Sequence, residues 1–576
     1  MDQVLEVALF FVIGIITIVA AGIFGKKLGI ATPLILIVIG AGLSFVQGAP
    51  VSVPGELVLF VLLPPILYSS AISVPVIDFR RNFPSIGVLS VLLVIATTFI
   101  TGALLWAVFP TLSFAAAVAV GAVVSPTDAV AATAIAKRFG LPPRLVTILE
   151  GESLVNDATA LVLLRSAIAA TAATVTFWDA LGDFAFAVSV AIAVGVVVGF
   201  VTVWVRSRLN DPLLDTAISF AVPFIAFLPA EQFGASGVIA VVTVGLYSGY
   251  HSSRRFSPQA RTTERTNWRS IQFLLENGVF LLMGLELTNV VGNVRSDDLS
   301  VPVAVLLGIL VTVVLFATRY LFVGPLVLLL RWQERRALRK HERDKAYLEG
   351  LPSEDVTPRQ ERRLSFARRA IGRRGNDLRQ LHEDGLEWRG GVILGWAGMR
   401  GVVTLAAAQS LPDDIPHRNQ LVLIAFTVAV VTLLVQGGTL PWLIRMLGVQ
   451  GSDATADRRE FASLLAELNE AGLQVLEDAT DSMGEPVDPS IIERVRHDTE
   501  VGTNLLHEQV QAAGDPETLA DLPLTRYRML RYDVLRAERD ALLIARSEGR
   551  YPSRILVRAQ TVLDLEEARL AQFDTD

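Results

Sequence analysis

The chain has 576 residues, of which 52% are hydrophobic and 19% charged, with a formal net charge of −7 and a mean hydropathy of +0.50. This composition is too apolar for a soluble globular protein and favours a membrane protein. The absence of cysteine excludes disulfides and thiolate metal sites. All six histidines lie outside the apolar segments, so an intramembrane metalloprotease or Ser-His protease lacks its histidine. We expect neither an enzyme nor a cofactor.

Apolar segments of roughly 20 residues, enough to cross about 30 Å of hydrocarbon, recur through residues 1–447. Breaks at glycine, proline and charge clusters predict about thirteen transmembrane helices. Their approximate bounds are residues 4–24, 30–48, 55–74, 84–109, 112–136, 144–171, 178–205, 212–230, 234–250, 268–290, 300–330, 390–410 and 419–447. The predicted fold class is therefore an all-α polytopic membrane protein.

The connections between these segments alternate in charge. The first segment is preceded by acidic residues and followed by Lys26 and Lys27, the reverse of a cleavable secretory signal. Basic residues recur in the connections at 80–81, 137–144, 206–208 and 254–269, whereas the opposite connections carry very few. By the positive-inside rule, this pattern predicts a cell-membrane protein with its N-terminus outside and its C-terminus in the cytoplasm.

Two hydrophilic regions accompany the transmembrane domain, which we place at residues 1–447. Residues 331–389 are rich in arginine and lysine and predict a charged helical insertion beside the anionic lipids of the inner leaflet. Residues 448–576 form an acidic tail with helical periodicity in Phe461–Leu476 and Thr525–Ala545. We expect the tail to be a cytoplasmic helical domain, with regulation of the membrane part as an untested role. Nothing in the chain indicates a nucleic-acid partner.

Few ionisable residues fall inside the apolar segments, where an unpaired charge costs several kcal/mol, so these residues are functional candidates. They are Asp128, Glu150, Glu152, Asp157, Arg165, Glu276, Glu286, Arg319 and Arg400. The sixth segment is the richest of all. Ser153, Asn156 and Asp157 stand at positions i, i+3 and i+4, so a hydroxyl, an amide and a carboxylate share one helical face. Such oxygen ligands suit Na⁺ or Li⁺ rather than a soft metal.

Glu152 points elsewhere, about 140° around the same helix from Asp157. Counting residues from the cytoplasmic end places Glu152 and Arg400 at similar depth, roughly 12 and 15 Å into the membrane at 1.5 Å per residue. This arithmetic predicts a structural ion pair between Glu152 and Arg400. The alternative is that each charge is satisfied locally. Glu150 lies closer to the cytoplasm and, with Glu276, is a candidate for an inner access funnel; the headgroup region is the other location open to Glu150.

Two apolar segments are interrupted at matching positions. Ser125-Pro126-Thr127-Asp128 carries a proline, which frees a backbone carbonyl, and a carboxylate level with Asp157. Gly395-Trp396-Ala397-Gly398-Met399-Arg400-Gly401 interrupts the twelfth segment with glycines. Each interruption lies in the fifth helix of its half if segments 1–6 and 8–13 form two oppositely oriented halves. This topology predicts an inverted-repeat transporter with its binding site near the midplane.

These segments resemble the signatures of the monovalent cation/proton antiporters of the sodium/proton exchanger type. The carrying motifs are Gly151-Glu-Ser-Leu-Val-Asn-Asp157, Ser125-Pro-Thr-Asp128 and Gly398-Met-Arg-Gly-Val-Val403. Leu63-Pro-Pro-Ile-Leu-Tyr68 and Asn277-Gly-Val-Phe-Leu-Leu-Met-Gly284 are similar to two further family segments. The resemblance runs over roughly residues 5–447 and leaves the tail and the charged insertion uncovered.

The resemblance implies that Asp157 binds the cation and the proton in turn. It places Asp128, Thr127 and Ser153 around a bound Na⁺ as further ligands, and it implies a homodimer in which one helical bundle moves against another. Asn156, immediately before the aspartate, is typical of the branch associated with electroneutral one-for-one exchange. Ser69 departs from the glutamate that many bacterial relatives carry there, which leaves cation affinity and selectivity open.

The function predicted from the sequence is exchange of a monovalent cation, Na⁺ before Li⁺ or K⁺, for H⁺ by alternating access, with both ions competing for Asp157. The alternative is a cation channel or an ion-sensing membrane protein regulated by its cytoplasmic tail. A channel predicts a continuous polar pore with a repeated filter segment, and no such filter is evident in the sequence. Saturating flux coupled to protons distinguishes a carrier from a channel.

Overall fold

The computed structural model describes residues 2–28, 31–46, 54–172, 177–209, 211–295, 300–349 and 388–449. In the tail it describes residues 470, 489–490, 492–493, 496, 533–542, 563 and 565–566. The chain divides into two compact units, Met1–Gly451 and Ser452–Asp576. The described residues include no β-strand, which agrees with the all-α prediction.

Sixteen helices are numbered below in chain order within the first unit. They are α1 (Asp2–Leu28), α2 (Thr32–Val46), α3 (Gly55–Ser73), α4 (Val76–Val108), α5 (Phe114–Val124), α6 (Ala129–Arg138), α7 (Pro143–Ala172), α8 (Phe177–Arg206), α9 (Pro212–Gln232), α10 (Gly237–Arg255), α11 (Pro258–Leu285), α12 (Leu287–Arg295), α13 (Val301–Glu349), α14 (Trp388–Trp396), α15 (Val402–Gln409) and α16 (Arg418–Leu447).

Nine helical stretches among the described residues are long and apolar enough to cross a membrane. They belong to α1, α3, α4, α7, α8, α9, α11 with α12, α13 and α16. Two shorter apolar helices, Thr32–Phe45 and Phe114–Val124, lie among them. The spanning helices agree with the predicted polytopic fold, while the count of thirteen spans and the inverted repeat stay predictions.

Two helix ends differ from the bounds predicted by hydropathy. Helix α11 begins at Pro258 instead of near residue 268, and α13 continues to Glu349 instead of ending near residue 330. Both extensions are polar, and a helix that leaves the apolar layer keeps its own backbone hydrogen bonds, so hydropathy detects only the buried part. The start of the predicted insertion is thus part of α13, and residues 350–387 lie outside the described residues.

The predicted tail helices are mostly outside the described residues. Residues 533–542, inside the predicted helix Thr525–Ala545, are helical. Of the predicted helix Phe461–Leu476, only residue 470 is described. The proposed role of the tail stays a prediction.

Both interrupted segments are broken helices. Helices α5 and α6 are separated by non-helical residues 125–128, and α14 and α15 by residues 397–401. Pro126 cannot donate a backbone hydrogen bond and its ring clashes with the preceding turn, which explains why α5 ends where it does. Asp128 then starts α6, because its side chain accepts a hydrogen bond from the Val130 amide at the N-cap position.

Helix α7 lies between two apolar cores. The larger core collects buried side chains of α2, α5, α7, α11 and α13–α16, and the smaller one those of α3 and α8–α11. On α7, Leu149 and Leu164 belong to the larger core, whereas Leu154 and Ala158 belong to the smaller one. Asp157 therefore lies on the helix that joins the two cores.

Candidate functional site

The two broken helices meet directly at their interruptions. The backbone N–H of Asp128 donates to the carbonyl of Met399 at 2.7 Å. The guanidinium of Arg400 donates in return to the carbonyl of Val124, at 3.2 Å from Nε. A Cβ atom added to Gly401 would collide with the Asp128 carboxylate. The absence of a side chain at Gly401 is what lets the two breaks approach so closely.

Each interruption presents one helix C-terminus and one helix N-terminus. Helices α5 and α14 end at the breaks with carbonyl groups that lack intrahelical partners. Arg400 is buried and donates to the carbonyls of Val124 and Gly398. One guanidinium thus binds carbonyl groups at the C-terminal ends of both helices, where a positive charge is favourable. Asp128 lies at the opposite, positive end, where its Oδ1 atom accepts from the Val130 amide at 2.8 Å.

Glu152 pairs with Arg319 of α13. The contact is bidentate, with distances of 2.5 Å from Nη1 to Oε1 and 2.9 Å from Nη2 to Oε2. Arg319 also donates to the Leu394 carbonyl through Nε at 3.1 Å and Nη2 at 3.0 Å. Both side chains are at most 2% exposed. The predicted pair between Glu152 and Arg400 is therefore wrong, and the partner of Glu152 is Arg319.

The depth calculation failed because two arginines lie near the same level. Arg319 was recognised as a buried charge but was given no partner in the sequence interpretation. Counting residues along a helix gives height but not the direction in which a side chain points. The freed carbonyls at the two helix breaks attract Arg400, which leaves Arg319 to neutralise Glu152.

Asn156 and Thr127 connect this ion pair to the broken helix. The Asn156 side-chain amide donates to the Thr127 carbonyl at 2.9 Å and to the Thr127 hydroxyl at 2.8 Å. That hydroxyl donates to Glu152 Oε1 at 2.8 Å. The Ala122 carbonyl, which loses its helical partner at Pro126, accepts from the Ser125 hydroxyl at 3.0 Å, and Asn156 satisfies the Thr127 carbonyl in the break. Each Thr127 oxygen retains one lone pair.

Asp157 is the exception among these buried groups. Its side chain is 6% exposed, and within the described part of the chain no hydrogen bond or ion pair reaches its carboxylate. The charged group that acts on it is the neighbouring carboxylate Asp128. Two acidic groups therefore lie close enough to interact, and Asp157 has no protein partner among the residues that the structure describes.

The remaining predicted ligands lie around this carboxylate pair. Ser153 is half-buried one turn before Asp157 on α7, and Thr127 is buried immediately before Asp128. No group of three or more His, Cys, Asp or Glu side chains in the described ranges is placed to hold a metal ion. A cation at this place would therefore be held by two carboxylates together with hydroxyl and carbonyl oxygens, the ligands that alkali cations prefer.

Glu150 and Glu276 lie on the side that the charge pattern predicts to be cytoplasmic. Glu150 Oε1 is 2.7 Å from the amino group of Lys137, which is largely exposed. Glu276 is half-buried, accepts a hydrogen bond from Gln272 at 2.7 Å, and interacts electrostatically with Asp128 and Lys137. Glu276 therefore lies within electrostatic reach of both the exposed Lys137 and the half-buried Asp128.

A cavity of about 230 Å³ opens on the other side. On α7 it is lined by Leu161, which is one helical turn, or roughly 6 Å, from Asp157. Arg165 of α7 and Glu231 of α9 form an ion pair of 2.6 Å in the same cavity. The sequence gives no sign of this pair, because the partner of Arg165 lies on a distant helix and leaves no local signal.

An all-α fold with apolar spanning helices, two broken helices in contact, and buried carboxylates at the contact defines an integral membrane transport protein. The family model described as "Sodium/hydrogen exchanger, transmembrane" matches residues 13–446. The chain belongs to this family.

Two relatives illustrate the similarity. An uncharacterized Na⁺/H⁺ exchanger of Mycobacterium tuberculosis is 29% identical, covering 97% of this chain and 96% of that protein. The Na⁺/H⁺ antiporter of Aphanothece halophytica is 27% identical over 75% of this chain and 72% of its own length. The first match extends through the acidic tail, beyond the segments that the family signatures cover.

The fold is similar to that of a solved structure, the sodium proton antiporter of Methanocaldococcus jannaschii at pH 8. That structure matches with a TM-score of 0.55 and 17% identity, covering 77% of this chain and all of that chain. The likeness supports the polytopic helical fold. The predicted family membership, made from five short motifs, is confirmed.

Proposed function

We propose that this protein exchanges Na⁺ for H⁺ across the cell membrane by competition of the two ions at Asp157. The observation that carries this proposal is the buried Asp157 carboxylate, which has no protein partner in the described part of the chain and lies near Asp128, where the two broken helices meet. The name of the Aphanothece halophytica relative, a Na⁺/H⁺ antiporter, supports the choice of ions.

Competition follows from the surroundings of Asp157. An ionised carboxylate in a buried site without a partner costs several kcal/mol, so the group needs either a proton or a cation. With one bound, the other has no charge left to neutralise. Binding Na⁺ from one side therefore expels a proton, and binding a proton expels Na⁺.

The coordination set proposed for Na⁺ comprises oxygens from several elements. They are the carboxylates of Asp157 and Asp128, the hydroxyl of Ser153 and an oxygen of Thr127. Asn156 positions Thr127 by its two hydrogen bonds. Li⁺ and K⁺ also bind oxygen ligands, and cavity size and ligand number decide between such ions.

Exchange at a single carboxylate is electroneutral. If Asp157 carries one proton in one direction and one Na⁺ in the other, while Asp128 keeps the same charge throughout, no net charge moves per cycle. Glu152 cannot add a second exchanging charge, because it is held by Arg319. A membrane potential should then leave the exchange equilibrium unchanged.

Alternating access completes the proposal. The 230 Å³ cavity beside Leu161 would serve the extracellular side, and the region of Glu150 and Glu276 the cytoplasmic side, with the N-terminus outside and the C-terminus inside. Membrane lipids would cover the exposed apolar side chains of the spanning helices. A homodimer belongs to the proposal through the family resemblance.

The proposal is tested by Asp157→Asn in everted membrane vesicles. Adding Na⁺ to acidified vesicles should restore the fluorescence of a pH dye with the wild type and not with the variant. Asp413→Asn is the matched control, because Asp413 is 96% exposed at the protein surface, and it should behave as the wild type. Unchanged recovery of dye fluorescence with Asp157→Asn would contradict the assignment of the transport site to Asp157.

The same vesicles distinguish an antiporter from a channel and rank the cations by the concentration that each needs for half-maximal exchange. Na⁺, Li⁺ and K⁺ are each supplied over a range of concentrations, with and without an imposed potential. Saturating, proton-coupled flux that ignores the potential supports electroneutral antiport. Flux that proceeds without proton movement and follows the potential contradicts it and favours the channel.

A further inference from the structure

A second group of buried charges lies away from Asp157, at the ends of helices that the charge pattern places on the cytoplasmic side. Arg206 ends α8, Asp215 lies in the first turn of α9, and Glu264 lies near the start of α11. Arg206 donates to Asp215 through Nε at 2.8 Å and Nη2 at 2.7 Å. Its Nη1 atom is 2.8 Å from Oε1 of Glu264. All three side chains are at most 5% exposed.

The charges in this cluster do not balance. One guanidinium faces two carboxylates, and the aromatic ring of Phe256, 4.2 Å from the guanidinium carbon, adds no formal charge. Helix α3 contributes Tyr68 and α10 contributes Ser248, both neutral and buried. With both carboxylates ionised, the cluster would hold one uncompensated negative charge in a buried site, which costs several kcal/mol.

The other charged groups nearby on α11 do not supply the missing positive charge. The charged groups that interact with Glu264 are Arg206 and Asp215. Arg265, next in sequence, is exposed, and Arg261, one turn earlier, is partly exposed.

The hydrogen bonds of the cluster are also incomplete. Among the described residues, Glu264 Oε1, Arg206 Nη1, Tyr68 Oη and Ser248 Oγ are buried polar atoms without a hydrogen-bond partner. The contact between Arg206 and Glu264 is thus close, but it is not a well-aligned hydrogen bond. Tyr68 and Ser248 are both 0% exposed, and Tyr68 interacts electrostatically with Glu264. Buried polar atoms without partners are rare in proteins.

We propose that Glu264 is a proton-binding site, separate from the transport site, and that it holds a proton when the cluster is at rest. One proton removes the surplus negative charge and turns a carboxylate, which only accepts, into a carboxylic acid with one O–H donor. The hydroxyl oxygens of Tyr68 and Ser248 have lone pairs that can accept this donor. The same proton therefore corrects the charge and reduces the number of unpartnered atoms.

Glu264 is chosen over Asp215 because of hydrogen bonding. Asp215 accepts two well-formed bonds from Arg206, and charge-assisted bidentate contacts of this kind favour an ionised carboxylate. Glu264 makes only one contact with the guanidinium, and its Oε1 atom accepts no well-formed hydrogen bond. Arg206 and Asp215 thus form a neutral pair, and the proton belongs to Glu264.

The position of this site gives it a route to the cytoplasmic mouth. Tyr68 is followed on α3 by Ser69, whose hydroxyl donates to Gln272 at 2.7 Å. Gln272 donates in turn to Glu276 at 2.7 Å, the residue that faces Asp128 and Lys137. Loss of the Glu264 proton restores a negative charge beside Tyr68, so transport should respond to cytoplasmic pH through this site as well as through Asp157.

Infrared spectroscopy of the purified full-length protein tests the proposal without a transport assay. The wild type should show carboxylic-acid carbonyl absorption, and one component of it should disappear in Glu264→Gln but remain in Asp157→Asn. Glu231→Gln is the matched control, because Glu231 is paired one-to-one with Arg165, and it should keep that absorption. Identical carboxylic-acid absorption in the wild type and Glu264→Gln would overturn the proposal.

Tyr68→Phe keeps the test decisive if Glu264→Gln fails to fold. Removing the tyrosine hydroxyl takes away one acceptor for the Glu264 proton, so the carboxylic-acid absorption should shift in frequency. An unshifted absorption would place the protonated acid elsewhere and overturn the assignment. Because these readouts need no ion flux, their outcome is independent of whether Asp157 exchanges Na⁺ for H⁺.

A transport measurement tests the link to function. In proteoliposomes, Glu264→Gln should shift the cytoplasmic pH at which the exchange rate is half-maximal, since glutamine copies the protonated state at every pH. Asp413→Asn, a change at an exposed surface residue outside the proposed access routes, should leave that pH in place. A pH profile for Glu264→Gln that superimposes on the wild type would overturn the link between the cluster and transport.

Discussion

Glu152 and Asp157 are buried carboxylates on the same helix, yet their surroundings are opposite. Glu152 accepts two hydrogen bonds from Arg319 and one from Thr127. Asp157 accepts none from the described residues and faces a second acid, Asp128. The comparison separates two uses of a buried charge. A paired carboxylate fixes neighbouring helices together, whereas an unpaired one requires a ligand from outside the protein.

The difference arises from direction around α7. The two residues are five positions apart, about 140° around the helix axis, so they face different neighbours. Glu152 contacts Arg319 of α13 and the Thr127 hydroxyl, whereas the charged group that acts on Asp157 is Asp128, at the end of the same break. Because the helix fixes these two directions, Glu152 and Asp157 cannot take each other's partners.

The largest effect on stability is expected for Glu152→Gln. Removing one member of a buried ion pair leaves Arg319 charged without its partner, which typically costs about 3–5 kcal/mol. The thermal unfolding midpoint in detergent should therefore fall well below that of the wild type, while Asp157→Asn, which removes no protein contact, should keep its midpoint. Equal midpoints for the two variants would contradict the comparison.

A double variant sharpens this result. Glu152→Gln combined with Arg319→Gln removes both charges together and should recover part of the lost stability. Combining Glu152→Gln with Arg400→Gln should recover nothing, because Arg400 serves the helix ends at Val124 and Gly398. If stability is recovered only when Glu152→Gln is combined with Arg400→Gln, Glu152 pairs with Arg400, as the depth calculation predicted.

Gly401→Ala should abolish transport at a moderate loss of stability. The new methyl group would overlap the Asp128 carboxylate, and added atoms in a packed site typically cost about 1–3 kcal/mol. Gly42→Ala is the control, because a Cβ there meets nothing within 4 Å. The comparison is made by dye recovery in vesicles containing equal amounts of protein. Full transport by Gly401→Ala would show that the contact between the breaks is dispensable.

Asn156→Ala should weaken the site with a smaller effect on stability. It removes two hydrogen bonds to Thr127 and leaves a carbonyl at the helix break without a partner, for which about 1–3 kcal/mol is typical. The Na⁺ concentration for half-maximal exchange should rise, because Thr127 is no longer held in place. An unchanged half-maximal concentration would mean that Thr127 does not contribute to binding.

Lys137→Gln is expected to have the smallest effect on stability. The Lys137–Glu150 pair is exposed on the lysine side, and such pairs contribute under about 1 kcal/mol. The unfolding midpoint should stay close to the wild type. The Na⁺ affinity measured from the cytoplasmic side should change modestly and become less sensitive to salt, because a charge near Glu276 and Asp128 is lost. A salt dependence equal to the wild type would remove Lys137 from the access route.

The fold class and the two helix interruptions were accessible from the sequence for physical reasons. Apolar segments of spanning length report burial in lipid, and Pro126 and Gly398 mark the two interruptions because both residues weaken a helix. The grouping of Ser153, Asn156 and Asp157 on one face follows from helical periodicity alone. These inferences use local properties. The helical fold and the family membership are confirmed, and the roles of the site residues stay a prediction.

Pairing between distant helices was not accessible in the same way. Arg319 and Arg400 are both buried arginines at similar depth, and only the packed structure shows that Arg319 faces Glu152. The Arg165–Glu231 and Arg206–Glu264 contacts also join helices far apart in the sequence. Hydropathy gave no sign of the cluster, because its members lie at the polar ends of apolar helices.

Proton release on cation binding tests the central claim most directly. Na⁺ is added to the purified, weakly buffered protein, and a pH dye reports protons released to solution, with choline as a control for ionic strength. Competition at one carboxylate predicts about one proton per Na⁺ bound, and no release from Asp157→Asn. Na⁺ binding by the wild type without proton release, or equal release from Asp157→Asn, would contradict competition at Asp157.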